Sequence, residues 1–188
     1  MIMLLRKGKD NKIMNIKRKF YTILYYSIAR HFPYQPLPGY KFGNAFRSFC
    51  CKRIFKKCGK NVTIKSKAYF GDGINIEIDD YSQLGINCKV DNDLIMGKYV
   101  LMGPDVVIFS TSHEYKDINI PMMNQGGKER KKVIVGDDVW IGTRVIILPG
   151  VKIGNHVIIG AGSIVTHDIP DYSVAVGSPA RVVRDRRK

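Results

Sequence analysis

Large aliphatic residues return at every sixth position over most of this chain. They fall at Ile78, Leu84, Val90, Met96, Met102 and Ile108, then at Val135, Ile141, Ile147, Ile153, Ile159 and Val165. A glycine often follows, as at Gly85, Gly97, Gly103, Gly136, Gly142, Gly154 and Gly160, and four places after the aliphatic stands a smaller or β-branched residue such as Cys88, Val100, Val145 or Val157. An α-helix repeats at about 3.6 residues and a plain strand at 2, so neither sustains a period of six. A short strand followed by a tight corner does. Each hexad then forms one flat side, three sides close a triangular turn, and the aliphatics stack inward as a column in which every turn depends on its neighbours. Glycine is expected to supply the unusual corner dihedrals, because it carries no Cβ. Ile64, Phe70 and Ile76 predict an earlier, less regular turn, with two extra residues before Ile78.

The period is interrupted once, between "FSTSHEYKD" (109–117) and Lys132. The intervening residues hold Tyr115, Pro121, Asn124, Gln125, Gly126, Gly127 and the charged run from Lys128 to Lys132, too polar and too rich in glycine to continue the coil. They read as a loop, 114–132, thrown out of it. His113 stands where the regular coil gives way, so a rigid side holds the imidazole and a loop covers it. Long loops on rigid scaffolds are where chemistry concentrates.

Charge divides the chain in two. Residues 1–60 hold fifteen Lys or Arg against a single acid, Asp10, whereas the remaining 128 residues are nearly neutral. The basic segment shows helical spacing twice: Ile16, Phe20, Ile23, Leu24 and Ile28, then Phe42, Ala45, Phe46, Phe49 and Cys50, with Arg47, Lys52, Arg53, Lys56 and Lys57 on the other faces and Cys58–Gly59 as the expected stop. Two roles fit such helices: docking on an anionic membrane surface, or closing the open first turn, whose bare edges and core would otherwise meet water. Nucleic-acid binding is not expected, because no stacking or groove-reading module accompanies the charge. The apolar run 20–29 lacks a small-residue cleavage site and is too short to span a bilayer, so the chain is read as cytoplasmic, at most peripheral at the inner face of the membrane. Cys50, Cys51, Cys58 and Cys88 form no CxxC pair and have no His at ligand spacing, which argues against disulfides and zinc. The four histidines, His31, His113, His156 and His167, lie far apart, so no metal site is expected.

The hexads, "TSHEYKD" and the stretch "VWIGTRVIILPGVKIGNHVIIGAGSIVTHDIPDYSVAVGSPARVV" together resemble the hexapeptide-repeat acyltransferases, in particular the acyl-CoA-dependent sugar O-acetyltransferase group. The resemblance implies a mainly β protein with a left-handed parallel β-helix over 61–168; the charge and spacing set a basic helical segment, 1–60, before it and a basic C-terminal tail, 169–188, after it. It implies acetyl-CoA as donor, no metal, and a homotrimer with sites between subunits. It places His113 as general base, taking the proton of a sugar hydroxyl as that hydroxyl attacks the thioester. An imidazole near its ordinary pKa of about 6.5 suits that task at neutral pH. It puts Trp140, the only tryptophan, at the acceptor or acyl-donor pocket; as an outward residue it also fits a subunit contact, and the two are compatible if sites lie between subunits. Thr143, Ala161 and Thr166 would line the pantetheine groove, with Arg181 and Arg184 on the phosphates. Asn87 lies near an acceptor-contact position of the family, or is simply a corner asparagine. His167 stands where many relatives carry Lys, a departure that leaves one phosphate contact without its usual residue. The N-terminal segment does not resemble the N-terminal domain of maltose and galactoside acetyltransferases, which turns the expectation toward a surface-polysaccharide or glycolipid precursor as acceptor. An amino-sugar or antibiotic N-acetyltransferase, and a non-enzymatic β-helix scaffold, are the alternatives.

Overall fold

The computed structural model describes residues 16–188, so expectations for residues 1–15 lie outside the described residues. Two helices, α1 (16–27) and α2 (Tyr40–Ile54), precede a long coil of two- and three-residue strands. The strands stack as three parallel faces. The first runs through Lys57–Cys58, Glu77–Ile78, Leu94–Met96, Val133–Val135 and Lys152–Ile153. The second carries Thr63–Ile64, Gln83–Leu84, Leu101–Met102, Trp140–Ile141, Ile158–Ile159 and Ser173–Gly177. The third carries Lys89–Val90, Val107–Ile108, Ile146–Ile147 and Ile164–Val165. In each strand one residue points in and its neighbour out: Ile141 is buried and stacks between Met102 and Ile159, while Trp140 beside it is 52% exposed. The period of six is therefore the length of one face, and Ile141 to Ile159 is one full turn of three.

The corners are built differently from the expectation. The glycines that follow the inward aliphatics do not adopt left-handed dihedrals; the residues that do are mostly not glycine, including Asn87 (φ 54°), Tyr99 (58°), Arg144 (57°) and His156 (58°). Each stands directly before the second inward residue of its hexad. The glycines are needed for a separate reason. At Gly103 a Cβ would sit 2.8 Å from the Thr143 amide nitrogen, and at Gly142 2.6 Å from that of Ala161, so successive turns approach too closely there for any side chain. Left-handed dihedrals cost a non-glycine residue about 1 kcal/mol, and stacking between turns offsets this. The Tyr81 and Tyr99 rings lie 5.2 Å apart at 7°, and those of His156 and Tyr172 4.7 Å apart at 16°.

The helices close the open end of the coil. Tyr25, Cys51, Ile54 and Phe55 are buried against the first turn, with the Tyr25 and Phe55 rings 4.6 and 4.8 Å from that of Phe70. α2 is rotated from its sequence reading, which put Phe42, Ala45, Phe46, Phe49 and Cys50 on one side: of these only Cys50 is fully buried. Its buried face is Gly43, Arg47, Cys50, Cys51 and Ile54, whereas Phe42 and Phe49 are exposed. Arg47 is turned inward because the chain entering the coil leaves carbonyls that no strand satisfies: its guanidinium donates to the Ile64 oxygen at 2.8 Å, to that of Phe32 at 3.0 Å and to Asn44 Oδ1 at 2.6 Å. The helix also ends at Ile54 and not at Cys58–Gly59, since Lys57–Cys58 already pairs with Glu77–Ile78. At the other end, Ala180–Asp185 folds back antiparallel on Ser173–Gly177, so Arg181 and Arg184 of the basic tail lie on a strand.

Candidate active site

The interruption replaces the corner between the third and first faces. Its two limbs pair before they diverge: Lys131 N donates to Ser110 O and Lys128 N to Ser112 O, both at 2.7 Å, and His113 bridges Gly127 antiparallel. The His113 backbone is thus held in a short ladder, one step inside the stem, with its side chain exposed. Beyond it the tip closes on itself, Gln125 Nε2 donating to the Asp117 and Ile120 oxygens at 2.7 and 2.6 Å. The imidazole borders a cavity of about 520 Å³ whose other walls include Asp91, Phe109, Ser112, Leu148 and Pro149.

Two carboxylates that sequence reasoning passed over organise this corner. Asp91 lines the cavity and accepts from Ser110 N at 2.8 Å. Asp93 accepts from Asn75 Nδ2 at 2.9 Å, from the buried Ser110 Oγ at 3.3 Å and from Arg130 Nη1 at 3.0 Å. Arg130 lies on the returning limb, so this ion pair ties the loop's base to the turn beneath it, and Arg130 holds its proton all the more firmly for the Asp93 hydrogen bond. The signal was present: "DNDL" (91–94) precedes "FSTS" (109–112) by eighteen residues, one turn of the coil.

The remaining candidates fall into two groups. Thr166 lies one turn beyond Leu148 on the same corner as His113, its hydroxyl 2.8 Å from His167 Nδ1. The neighbouring surface leads to a second cavity, about 350 Å³, walled by His167, Ala175, Ala180 and Arg181. Arg184 follows on the last strand, opposite Val174. Trp140, Thr143 and Ala161 lie elsewhere, on the second face and its corner with the third; Gly162 N donates to Thr143 O at 2.8 Å. Asn87 occupies that same corner, left-handed, with Nδ2 2.7 Å from Asp105 Oδ1. None of these last four lines the His113 cavity. A single chain therefore presents two partial surfaces.

Chemically, the His113 corner offers a solvent-reachable base, a nearby carboxylate and an apolar wall. A thiol nucleophile does not fit: burial pushes the Cys88 thiol up to about 12 and that of Cys58 to about 11, and Cys50 and Cys51 are raised by the same cause. Among the described residues no group of three His, Cys, Asp or Glu side chains is disposed to hold a metal ion.

Residues 132–167 match the family described as bacterial transferase hexapeptide (six repeats). Over 141 residues, 74% of this chain and 68% of the relative, the sequence is 36% identical to the galactoside O-acetyltransferase of Escherichia coli (strain K12). It is 36% identical over 136 residues to that of Lactococcus lactis subsp. lactis (strain IL1403), covering 71% of this chain and 64% of the relative's length. A solved galactoside acetyltransferase in complex with coenzyme A superposes with a TM-score of 0.75 at 31% identity, covering 92% of this chain and 82% of the other. These matches define a hexapeptide-repeat transferase with a left-handed parallel β-helix. The chain belongs to the acyl-CoA-dependent hexapeptide-repeat acyltransferases, the family of the galactoside O-acetyltransferases. The superposition also reaches the N-terminal helices, since residues 61–188 are only about 68% of the chain. The expectation that this segment has no counterpart in galactoside acetyltransferases therefore fails at the level of fold, since 92% coverage extends the superposition beyond the coil.

Proposed function

We propose that this protein transfers an acetyl group from acetyl-CoA to a hydroxyl of a sugar, carried on a surface-polysaccharide or glycolipid precursor, in the cytoplasm. The observation that carries this reading is His113: an exposed imidazole on a fixed backbone ladder, at the wall of a cavity that also holds Asp91. In the reaction His113 removes the proton of the acceptor hydroxyl as its oxygen attacks the thioester carbonyl. The tetrahedral intermediate then expels the coenzyme A sulfur, which takes that proton from the imidazolium. Asp91, facing the same cavity, is placed to hold a second hydroxyl of the acceptor. Thr166 and Arg181, along the same corner, would guide the pantetheine arm and a phosphate. Arg184 would add a second phosphate contact from the last strand.

The separation of Trp140, Thr143 and Ala161 from His113 supports a homotrimer, in which the second face of one subunit completes the His113 corner of the next. Asn87 belongs with that second surface, as an acceptor contact across the interface. The titrant for all of this is His113→Ala. It should retain coenzyme A binding and assembly while kcat falls by at least about 100-fold, the usual scale for a lost general base. Near-normal acetyl release by the folded variant would end the assignment. Screening amine against hydroxyl acceptors, with free thiol as readout, separates O- from N-transfer.

A further inference from the structure

The helical cap presents an outer surface that nothing among the described residues covers. On α1, Ile16, Phe20 and Ile23 are 61, 60 and 66% exposed and share one side of the helix. On α2, Phe42 and Phe49 are 61 and 43% exposed. Tyr21 joins the two rows, its ring 5.4 Å from Phe20 and 5.8 Å from Phe49, and Leu37 adds a further half-exposed side chain from the connection. Isolated exposed apolar residues are ordinary, but a contiguous row across two helices is not.

The charge around this row has one sign. From residue 16 to residue 60 the chain holds eleven Lys or Arg and no Asp or Glu, and the first acid after Asp10 is Asp72. Lys17, Lys19, Lys41, Lys52 and Arg53 are exposed on the two helices, and the Arg53 guanidinium lies 3.7 Å over the Phe49 ring. By contrast Lys56 and Lys57, which the sequence placed in the same basic set, are engaged by Glu77 and Asp79 of the first face. The available cations are thus those that border the apolar row. Intermixed aromatic, aliphatic and basic side chains match a surface whose interior is apolar and whose rim is anionic.

We infer that the outer surface of α1 and α2 docks on an anionic lipid bilayer, with Phe20, Ile23 and Phe49 entering the headgroup boundary and Lys17, Lys19, Lys52 and Arg53 on lipid phosphates. No helix among the described residues is long and apolar enough to cross a membrane, so the attachment is peripheral. Charge complementarity selects this occupant over a second copy of the chain: two such surfaces placed face to face would bring like charges together with no acid to separate them. The docking does not rest on the acetyl-transfer reading, and it brings the enzyme to the place where a lipid-linked acceptor is presented.

The test is co-sedimentation of the full-length protein with phosphatidylcholine vesicles, with and without about one third phosphatidylglycerol. Binding is expected to the anionic vesicles alone and to be released as salt rises, because surface attraction is screened over about 10 Å at 0.1 M. Phe20→Ser with Ile23→Ser, both on the exposed side, should weaken it at unchanged charge by at least about tenfold. Lys17→Gln with Lys19→Gln should weaken it by about thirtyfold and flatten the salt dependence. Circular dichroism of each variant, unchanged from the parent, excludes unfolding as the cause. Absence of binding at low salt, equal binding to neutral vesicles, or full binding by the Phe20/Ile23 variant would each overturn the inference. So would a change in oligomeric state on Phe20→Ser without vesicle binding, which would assign the surface to a contact between copies.

Discussion

Removing Asp93 should harm this protein much more than removing the arginine it pairs with, although both changes delete the same ion pair. The Asp93 side chain is 12% exposed and the Arg130 side chain 57%. Asp93→Ala leaves Asn75 Nδ2 without an acceptor and takes one from the buried Ser110 hydroxyl, which keeps only a long contact to Asp91 at 3.4 Å. Hydrogen bonds to a charged group contribute about 1.5–3 kcal/mol, and an orphaned buried donor costs in the same range. Arg130 itself returns to solvent at little cost. The expected loss for Asp93→Ala is about 2–3 kcal/mol. Arg130→Ala leaves Asp93 with its Asn75 and Ser110 donors and removes a largely solvated partner, so it should cost less than about 1 kcal/mol. Urea unfolding followed by circular dichroism, at matched protein concentration, measures both. Because Ser110 begins the limb that carries His113, kcat should fall further in Asp93→Ala than in Arg130→Ala, with acetyl-CoA binding preserved. Equal destabilisation, or a larger loss for Arg130→Ala, would refute the view that the buried carboxylate organises this corner.

Arg47→Met keeps the aliphatic volume but strips the Ile64 and Phe32 carbonyls and Asn44 of their donor; about 3 kcal/mol of stability should be lost, with faster amide exchange in residues 40–64. Gly103→Ala forces a Cβ against the Thr143 amide at 2.8 Å, and since backbone cannot yield as a side chain does, the melting temperature should drop or the protein should fail to assemble. Burial raises the Cys88 thiol from 9.0 to about 12. The folded chain therefore keeps this proton where the unfolded chain releases it, so the stabilisation is whole below pH 9 and lost as pH climbs toward 12. Cys88→Ala should flatten that alkaline decline in urea titrations, whatever it costs at neutral pH.

How much of this was legible in the sequence depends on how far apart the interacting residues lie. The inward column, the outward Trp140 and the place where the coil is interrupted all followed from a period of six. That period states, hexad by hexad, which residue faces the core. The function class followed from the same hexads together with the residues around His113. Decisions made across turns were not legible. Glycine after the aliphatic looked like a corner residue, but the constraint comes from a backbone one turn away, and the left-handed dihedrals fell to residues such as Tyr99 and His156, whose rings stack on Tyr81 and Tyr172 in the neighbouring turns. Asp91 and Asp93 entered the His113 corner by that same stacking. The helical cap was misread most instructively: hydrophobicity alone turned Phe42 and Phe49 inward and Arg47 outward. The structure reverses them because carbonyls at the mouth of the coil require donors, and Arg47, turned inward from α2, supplies the one that Ile64 needs. A local pattern determines what each residue does within its own turn; what satisfies an open end or fills a corner is settled by whichever distant segment the closed coil brings there.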